Sequence, residues 1–243
     1  MTKIPKRPEE IFNEFKSDYT TLFGDDLLAI ILYGSGARGE YVPKKSDLNF
    51  LIILSDDGIE RLGDAIDVVA TWQKRSIPVP LFLTRGYIES SLDTFPLEFF
   101  NIQSAYQIIY GEDILRDLAI KKDNLRHQCE RELKAKLLLL RESFLQAHGE
   151  ARQLKELINQ SLPAFISIFK ALLYLKGEEI PEKNEDVITA TSTCFDLDRA
   201  LFQVLWHIKR GVQKPAKDEM KKIFLTYVSE IKGLSRVVDK MEY

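Results

Sequence analysis

Apolar positions in the first half of the chain recur with two different periods. In "PEEIFNEFKSDYTTLF" the residues Ile11, Phe12, Phe15, Tyr19 and Phe23 fall at helical steps behind Pro8, which predicts an amphipathic first helix. "LLAIILY", "DLNFLIIL" and "VPLFLT" are short apolar runs bounded by Gly, Pro or Asp and predict buried strands, with a helical "IERLGDAIDVVATWQKR" between the last two. "FFNIQSAYQIIYG" is expected to add one or two strands before Gly111, and "EDILRDL" a helix that leads the chain onward.

Beyond residue 116 the texture changes to long helical patterns with few glycines. "NLRHQCERELKAKLLLLRESFLQAHG" places Leu133, Leu137, Leu140 and Phe144 at helical steps and stops at Gly149. "EARQLKELINQSLPAFISIFKALLYLKG" predicts a second long helix, kinked or restarted at Pro163, and two further segments complete a bundle of four or five helices. The expected organisation is α+β: a mixed sheet flanked by helices over residues 1–116, then an all-α bundle over 117–243.

The composition narrows the function classes. A chain of 243 residues with 45% hydrophobic side chains can bury a real core. The balance of 34 Lys and Arg against 37 Asp and Glu argues against a nucleic-acid partner or an anionic membrane surface. No stretch approaches the roughly 18 apolar residues of a membrane span, and two distant cysteines, Cys129 and Cys194, suggest reduced thiols, so a cytoplasmic protein is expected. The lysines of "KRGVQKPAKDEMKK" read as a solvated loop and helix face.

The candidate chemistry lies in "LYGSGARGEYVPKKSDLNFLII". Gly34, Ser35, Gly36 and Gly39 follow a strand directly, with Ala37 and Arg38 in an expected short helix, so bare backbone N–H groups and the Ser35 hydroxyl would suit a phosphate chain. Ser46 and Asp47 then open a strand on which Asp47 and Asn49 share one face and point toward the loop.

Gly34-Ser35-x-Ala37-Arg38-Gly39, six residues, then Ser46-Asp47-x-Asn49 resembles the signature of the nucleotidyltransferase superfamily related to DNA polymerase beta, and is most similar to its antibiotic and minimal nucleotidyltransferases. The resemblance implies a nucleotidyltransferase fold with a helical second domain. It implies a nucleoside triphosphate held by Gly34, Ser35, Arg38 and Ser46, Mg²⁺ on Asp47 and Asn49, and a nucleotide transferred to a hydroxyl of a small molecule, a protein or a nucleic acid. A homodimer is compatible with it.

The match breaks at the carboxylates. Mg²⁺ prefers anionic oxygens in octahedral geometry, and the family's strand carries two aspartates where this chain has Asp47 and Asn49. A Glu common to the antibiotic enzymes corresponds to Phe82 in Pro80-Leu81-Phe82-Leu83-Thr84, which is neither ligand nor base. Glu98, in "FPLEFF", is the candidate replacement base, with surface or capping duty as the alternative. Glu40 reads as a solvated helix residue, and Asp56 and Asp57 as turn or helix-cap residues. A site that binds nucleotide with weakened or lost catalysis is the expectation, with an active transferase as the alternative.

The helical half loosely resembles the bundles that accompany minimal nucleotidyltransferases, some of which are ribonucleases with an Arg-x(4 to 6)-His motif. Arg141 and His148 have that spacing, although a histidine before Gly149 is ordinary at a helix end. Phe165, Phe169, Tyr174, Phe195, Phe202, Trp206, Phe224 and Tyr227 read as core, or as the lining of a substrate cleft.

Overall fold

The computed structural model describes residues 4–44 and 46–242. It divides into two compact units, Met1–Ile120 and Lys121–Tyr243, a boundary slightly beyond the expected Arg116.

The first unit is built on a four-stranded sheet of order β3-β2-β1-β4. Strands β1 (Leu27–Tyr33), β2 (Asn49–Leu54), β3 (Leu81–Thr84) and β4 (Tyr106–Gly111) form it, with β1 antiparallel to β2 and β4, and β2 parallel to β3. The central runs are apolar at nearly every position because both sheet faces are covered. On one face, α1 (Phe12–Phe23) buries Phe15, Tyr19 and Phe23 against Ile30, Leu32, Phe50, Ile52 and Leu54. On the other, Ala29, Ile31, Leu51 and Ile53 pack with Ile88, Phe99 and Ile102.

Three expectations in this unit are corrected. The helix between β2 and β3 is broken into α2 (Asp56–Glu60), a 3-10 turn over Leu62–Ala65, and α3 (Ile66–Gln73), with Gly63 at the interruption. After α4 (Arg85–Ser91), the segment expected as strand begins instead as helix α5 (Pro96–Gln103), because Pro96 is set for a first helical position and Leu97, Phe100 and Ile102 are buried together. "EDILRDL" forms turns, not a helix. The Asp113 carboxylate accepts from the Arg116 N–H at 3.1 Å and the Tyr106 hydroxyl at 3.0 Å, and the Gln103 amide donates to the carbonyl of Leu115 at 2.8 Å. Those local partners replace a helical ladder.

The second unit contains α6 (Lys122–Gln146), α7 (Ala151–Lys176), α8 (Asn184–Cys194), α9 (Arg199–Arg210) and α10 (Lys217–Asp239). The expected restart at Pro163 does not occur, and α7 runs through it. A proline withholds the N–H that the carbonyl four residues earlier needs. Here Lys209 Nζ of α9 donates to the carbonyl of Asn159 at 3.1 Å and supplies the missing bond. By length and composition α7 could cross a membrane, but 56% of its most apolar window is buried inside the protein.

Phe165, Phe169, Phe202, Phe224 and Tyr227 are fully buried and meet at ring separations such as 5.6 Å for Phe169 with Phe202 and 6.0 Å for Phe202 with Tyr227. Near-perpendicular rings of this kind fill a core well. These five are packing residues of the bundle; Tyr174 is partly exposed, with the Lys122 ammonium 5.6 Å from its ring centre.

Candidate functional site

The loop after β1 is shaped by what each residue can tolerate. Gly34 has φ of 75°, a left-handed conformation that costs a side-chain-bearing residue strain. At Gly36 an added Cβ would lie 2.9 Å from Leu48 Cδ2, so the absence of a side chain lets the loop press on the core. Residues 34–39 form consecutive turns rather than the expected short helix, and Glu40 likewise lies outside any helix. The Arg38 N–H donates to the Gly34 carbonyl at 3.2 Å, and the Glu40 N–H to the Ser35 carbonyl at 3.0 Å.

The backbone donors are not all open. The Gly34 N–H donates to the carbonyl of Ala105 at 3.0 Å, which corrects the expectation that it is bare. Among the described residues, the N–H groups of Ser35, Gly36 and Ala37 donate to no backbone carbonyl. Gly36 is buried, and Ser35 and Ala37 are half-buried. The Arg38 guanidinium donates through Nε to the Glu40 carboxylate at 3.2 Å, and both side chains are half-buried. Ser46 closes the following loop: its hydroxyl accepts from the Val42 N–H at 3.1 Å while its own N–H donates to the Val42 carbonyl at 2.9 Å.

Asn49 begins β2, and Asp47 lies before the strand rather than in it, exposed to solvent. A Cβ built on Gly34 would lie 3.6 Å from Asn49 Nδ2, so the amide rests against the loop's first glycine. Asn49 pairs with Tyr33 across β1, and Tyr33 pairs in turn with Tyr106 of β4, so the three share one sheet face. Burial raises the Tyr33 phenol above its ordinary pKa. Sequence reading passed over Tyr33, although its place directly before Gly34 was visible. Tyr41 is raised by burial first, then by the nearby carboxylates of Glu10 and Asp47.

Phe82 is placed differently from the expectation. It pairs with Ile52, and its ring lies 6.0 Å from that of Tyr19 and 6.4 Å from that of Phe23, in the core beneath α1. Asn49 shares the opposite face with Leu51 and Ile53, since alternate strand residues point to opposite sides. Phe82 therefore does not stand in for a carboxylate facing Asn49. Glu98 is in the first turn of α5 and exposed, not ahead of a strand.

These residues do not fit a two-metal centre. Among the described residues no three His, Cys, Asp or Glu side chains gather into a metal-holding group, and Asn49 is a neutral amide whose nitrogen faces the loop. The Asp47 side chain is exposed ahead of β2. Elsewhere in the unit a cleft of about 250 Å³ is lined by Arg85, Glu89, Glu112, Asp113 and Asp117 and includes none of the loop residues.

In the helical unit, α6 ends at Gln146 and His148 takes a left-handed φ of 48°, so Arg141 and His148 do not share a helix face. Asp56 and Asp57 lie in the first turn of α2 behind its cap Ser55, where acids complement the helix dipole.

No family model matches the chain. It is 45% identical over 47 residues to a Methanocaldococcus jannaschii protein provisionally named a protein adenylyltransferase; the match spans 19% of this chain and 46% of that relative, about half its length. Its fold is similar to the crystal structure of a spectinomycin adenyltransferase from Enterococcus faecialis, with ATP and spectinomycin, at a TM-score of 0.52 and 13% identity, over 96% of this chain and 99% of the other. Local sequence and overall fold together support assignment of the chain to the nucleotidyltransferase superfamily.

Proposed function

We propose that the N-terminal unit binds a nucleoside triphosphate at the junction of the 34–39 loop and β2, and that nucleotide transfer there is weakened or lost. The carrying observation is the pairing of open donors with missing acids. Ser35, Gly36 and Ala37 keep N–H groups without a backbone acceptor among the described residues, while Asn49 is neutral and Phe82 faces the other side of the sheet. Anion recognition through backbone donors survives the loss of a carboxylate, whereas activation of an attacking hydroxyl does not. Ser35 and Arg38 are the side chains assigned to phosphate, and Asp47 the residual acid. Ser46 acts by shaping the loop. A regulatory or binding role in the cytoplasm follows from this reading.

The relative named for protein adenylyltransferase activity supports a second reading, an active enzyme that attaches a nucleotide to a protein or small-molecule hydroxyl. Its base would be Glu98 or a group on the acceptor. Calorimetric titration with ATP, GTP, CTP and UTP, paired with an assay of nucleotide consumption, separates the two. Binding without turnover, lowered about tenfold by Ser35→Ala, supports the binding role. Metal-dependent turnover abolished by Glu98→Gln establishes the enzyme, and absence of any binding defeats both.

A further inference from the structure

We propose that this junction takes the phosphates of its nucleotide as a free polyanion, without a divalent cation, and that Asn49 is a phosphate donor rather than a metal ligand. The inference rests on the nucleotide-binding reading above and deepens it.

Three observations carry it. The N–H groups of Ser35, Gly36 and Ala37, which have no backbone acceptor among the described residues, can donate directly to phosphate oxygens. Beside them Arg38 and Glu40 offset one another in their ion pair, and the Asp47 side chain is exposed to solvent ahead of β2. The Asn49 amide rests beside Gly34 with its nitrogen turned to the loop. A carboxylate at that place would repel a phosphate, and only a cation between them would make the arrangement favourable. An amide offers N–H donors to the same oxygens and needs no intermediary. Mg²⁺ has little reason to enter, because it binds through anionic oxygens and gives up its water reluctantly.

The exchange of Asp for Asn therefore changes the sign of the interaction at 49, not merely its strength. The ligand class that results is the metal-free nucleoside triphosphate, or any extended phosphate chain of similar charge.

The test is calorimetric titration of the full chain with ATP in excess EDTA and again with Mg²⁺, for the native protein, Asn49→Asp and Asn49→Ala. Native affinity in EDTA should be at least equal to that in Mg²⁺, within about threefold. Asn49→Asp should weaken binding in EDTA about tenfold or more, with Mg²⁺ restoring it. Asn49→Ala should weaken binding about equally in both buffers. Inorganic triphosphate should displace ATP in EDTA. The two native titrations need no variant, so a misfolded substitution leaves the result readable. Binding by the native protein that requires Mg²⁺ overturns this inference and leaves the nucleotide-binding reading intact; failure of triphosphate to compete also overturns it alone. No binding in either buffer overturns both.

Discussion

Two stretches where backbone groups lack their regular partners, in α7 and in the 34–39 loop, are treated differently by the protein. In α7, Pro163 deprives the Asn159 carbonyl of its helical donor, and Lys209 fills the gap from α9. Burial pushes the Lys209 ammonium below its ordinary pKa, the expected cost of bringing a cation there. In the 34–39 loop, the N–H groups of Ser35, Gly36 and Ala37 keep no backbone partner among the described residues. The first break is closed from within and is structural. The second has no such partner among the described residues, and it is where we propose that a ligand binds.

The comparison can be broken most forcefully on the loop side with Phe82→Glu. If Phe82 faced Asn49, the new carboxylate would restore part of an acidic cluster and raise metal affinity. Because its ring lies between α1 and the sheet, the substitution should destabilise the protein by roughly 3 kcal/mol and confer no metal dependence. Chemical denaturation and nucleotide turnover in Mg²⁺ check the two halves of that statement.

On the helical side, Lys209→Ala should cost about 1.5 kcal/mol, because a part-buried carbonyl loses a charged donor. The same change made together with Pro163→Ala should cost much less than the sum of the two changes made singly, since an alanine in place of the proline returns the helical N–H to Asn159. A double-mutant cycle in thermal unfolding measures this coupling. Additive effects would mean that Lys209 does not substitute for the missing N–H.

Buried phenols extend the contrast to side chains. Burial raises Tyr19 and Tyr227 far above their ordinary value of 10.0, with Asp18 adding to the shift at Tyr19. Each therefore keeps its proton in the folded state at pH values where the unfolded chain has released it. Their contribution is complete below pH 10 and declines as pH rises above it, by about 1.4 kcal/mol per pH unit for each group. Stability followed by denaturation between pH 9 and 11 should show that fall, and it should be shallower in Tyr227→Phe.

The smallest effects separate a satisfied hydroxyl from an unsatisfied one. The Tyr227 hydroxyl lies 3.2 Å from that of Ser161, whereas the buried Tyr19 hydroxyl has no partner among the described residues. Tyr227→Phe should cost about 1 kcal/mol at neutral pH, and Tyr19→Phe should be neutral within about 0.5 kcal/mol. Equal losses in urea unfolding would show that a further partner, such as water, satisfies Tyr19.

Local signals made much of the fold legible. The apolar runs "LLAIILY" and "NFLIIL" identified the two central strands because a sheet covered on both faces demands such runs. The loop residues stood out because closely spaced glycines and a serine behind a strand are followed by Ser46, Asp47 and Asn49 at the head of the next one. Local signals failed where a distant partner decided the outcome. The segment "EDILRDL" carries a helical pattern, but Asp113, Tyr106 and Gln103 hold it in turns.

By itself the sequence determined which groups stand at the loop and the strand after it, and that one of the two expected acids there is an amide: Gly34, Ser35, Asp47 and Asn49 are chemical facts of the chain. Only the tertiary structure decided which of their groups remain available. It tied the Gly34 N–H to Ala105, turned Phe82 toward α1, and set the Asn49 amide against the loop. Residue type limits the hydrogen bonds and charges a group can offer. Pairing register and packing, which join residues far apart in the chain, determine whether those offers are already taken.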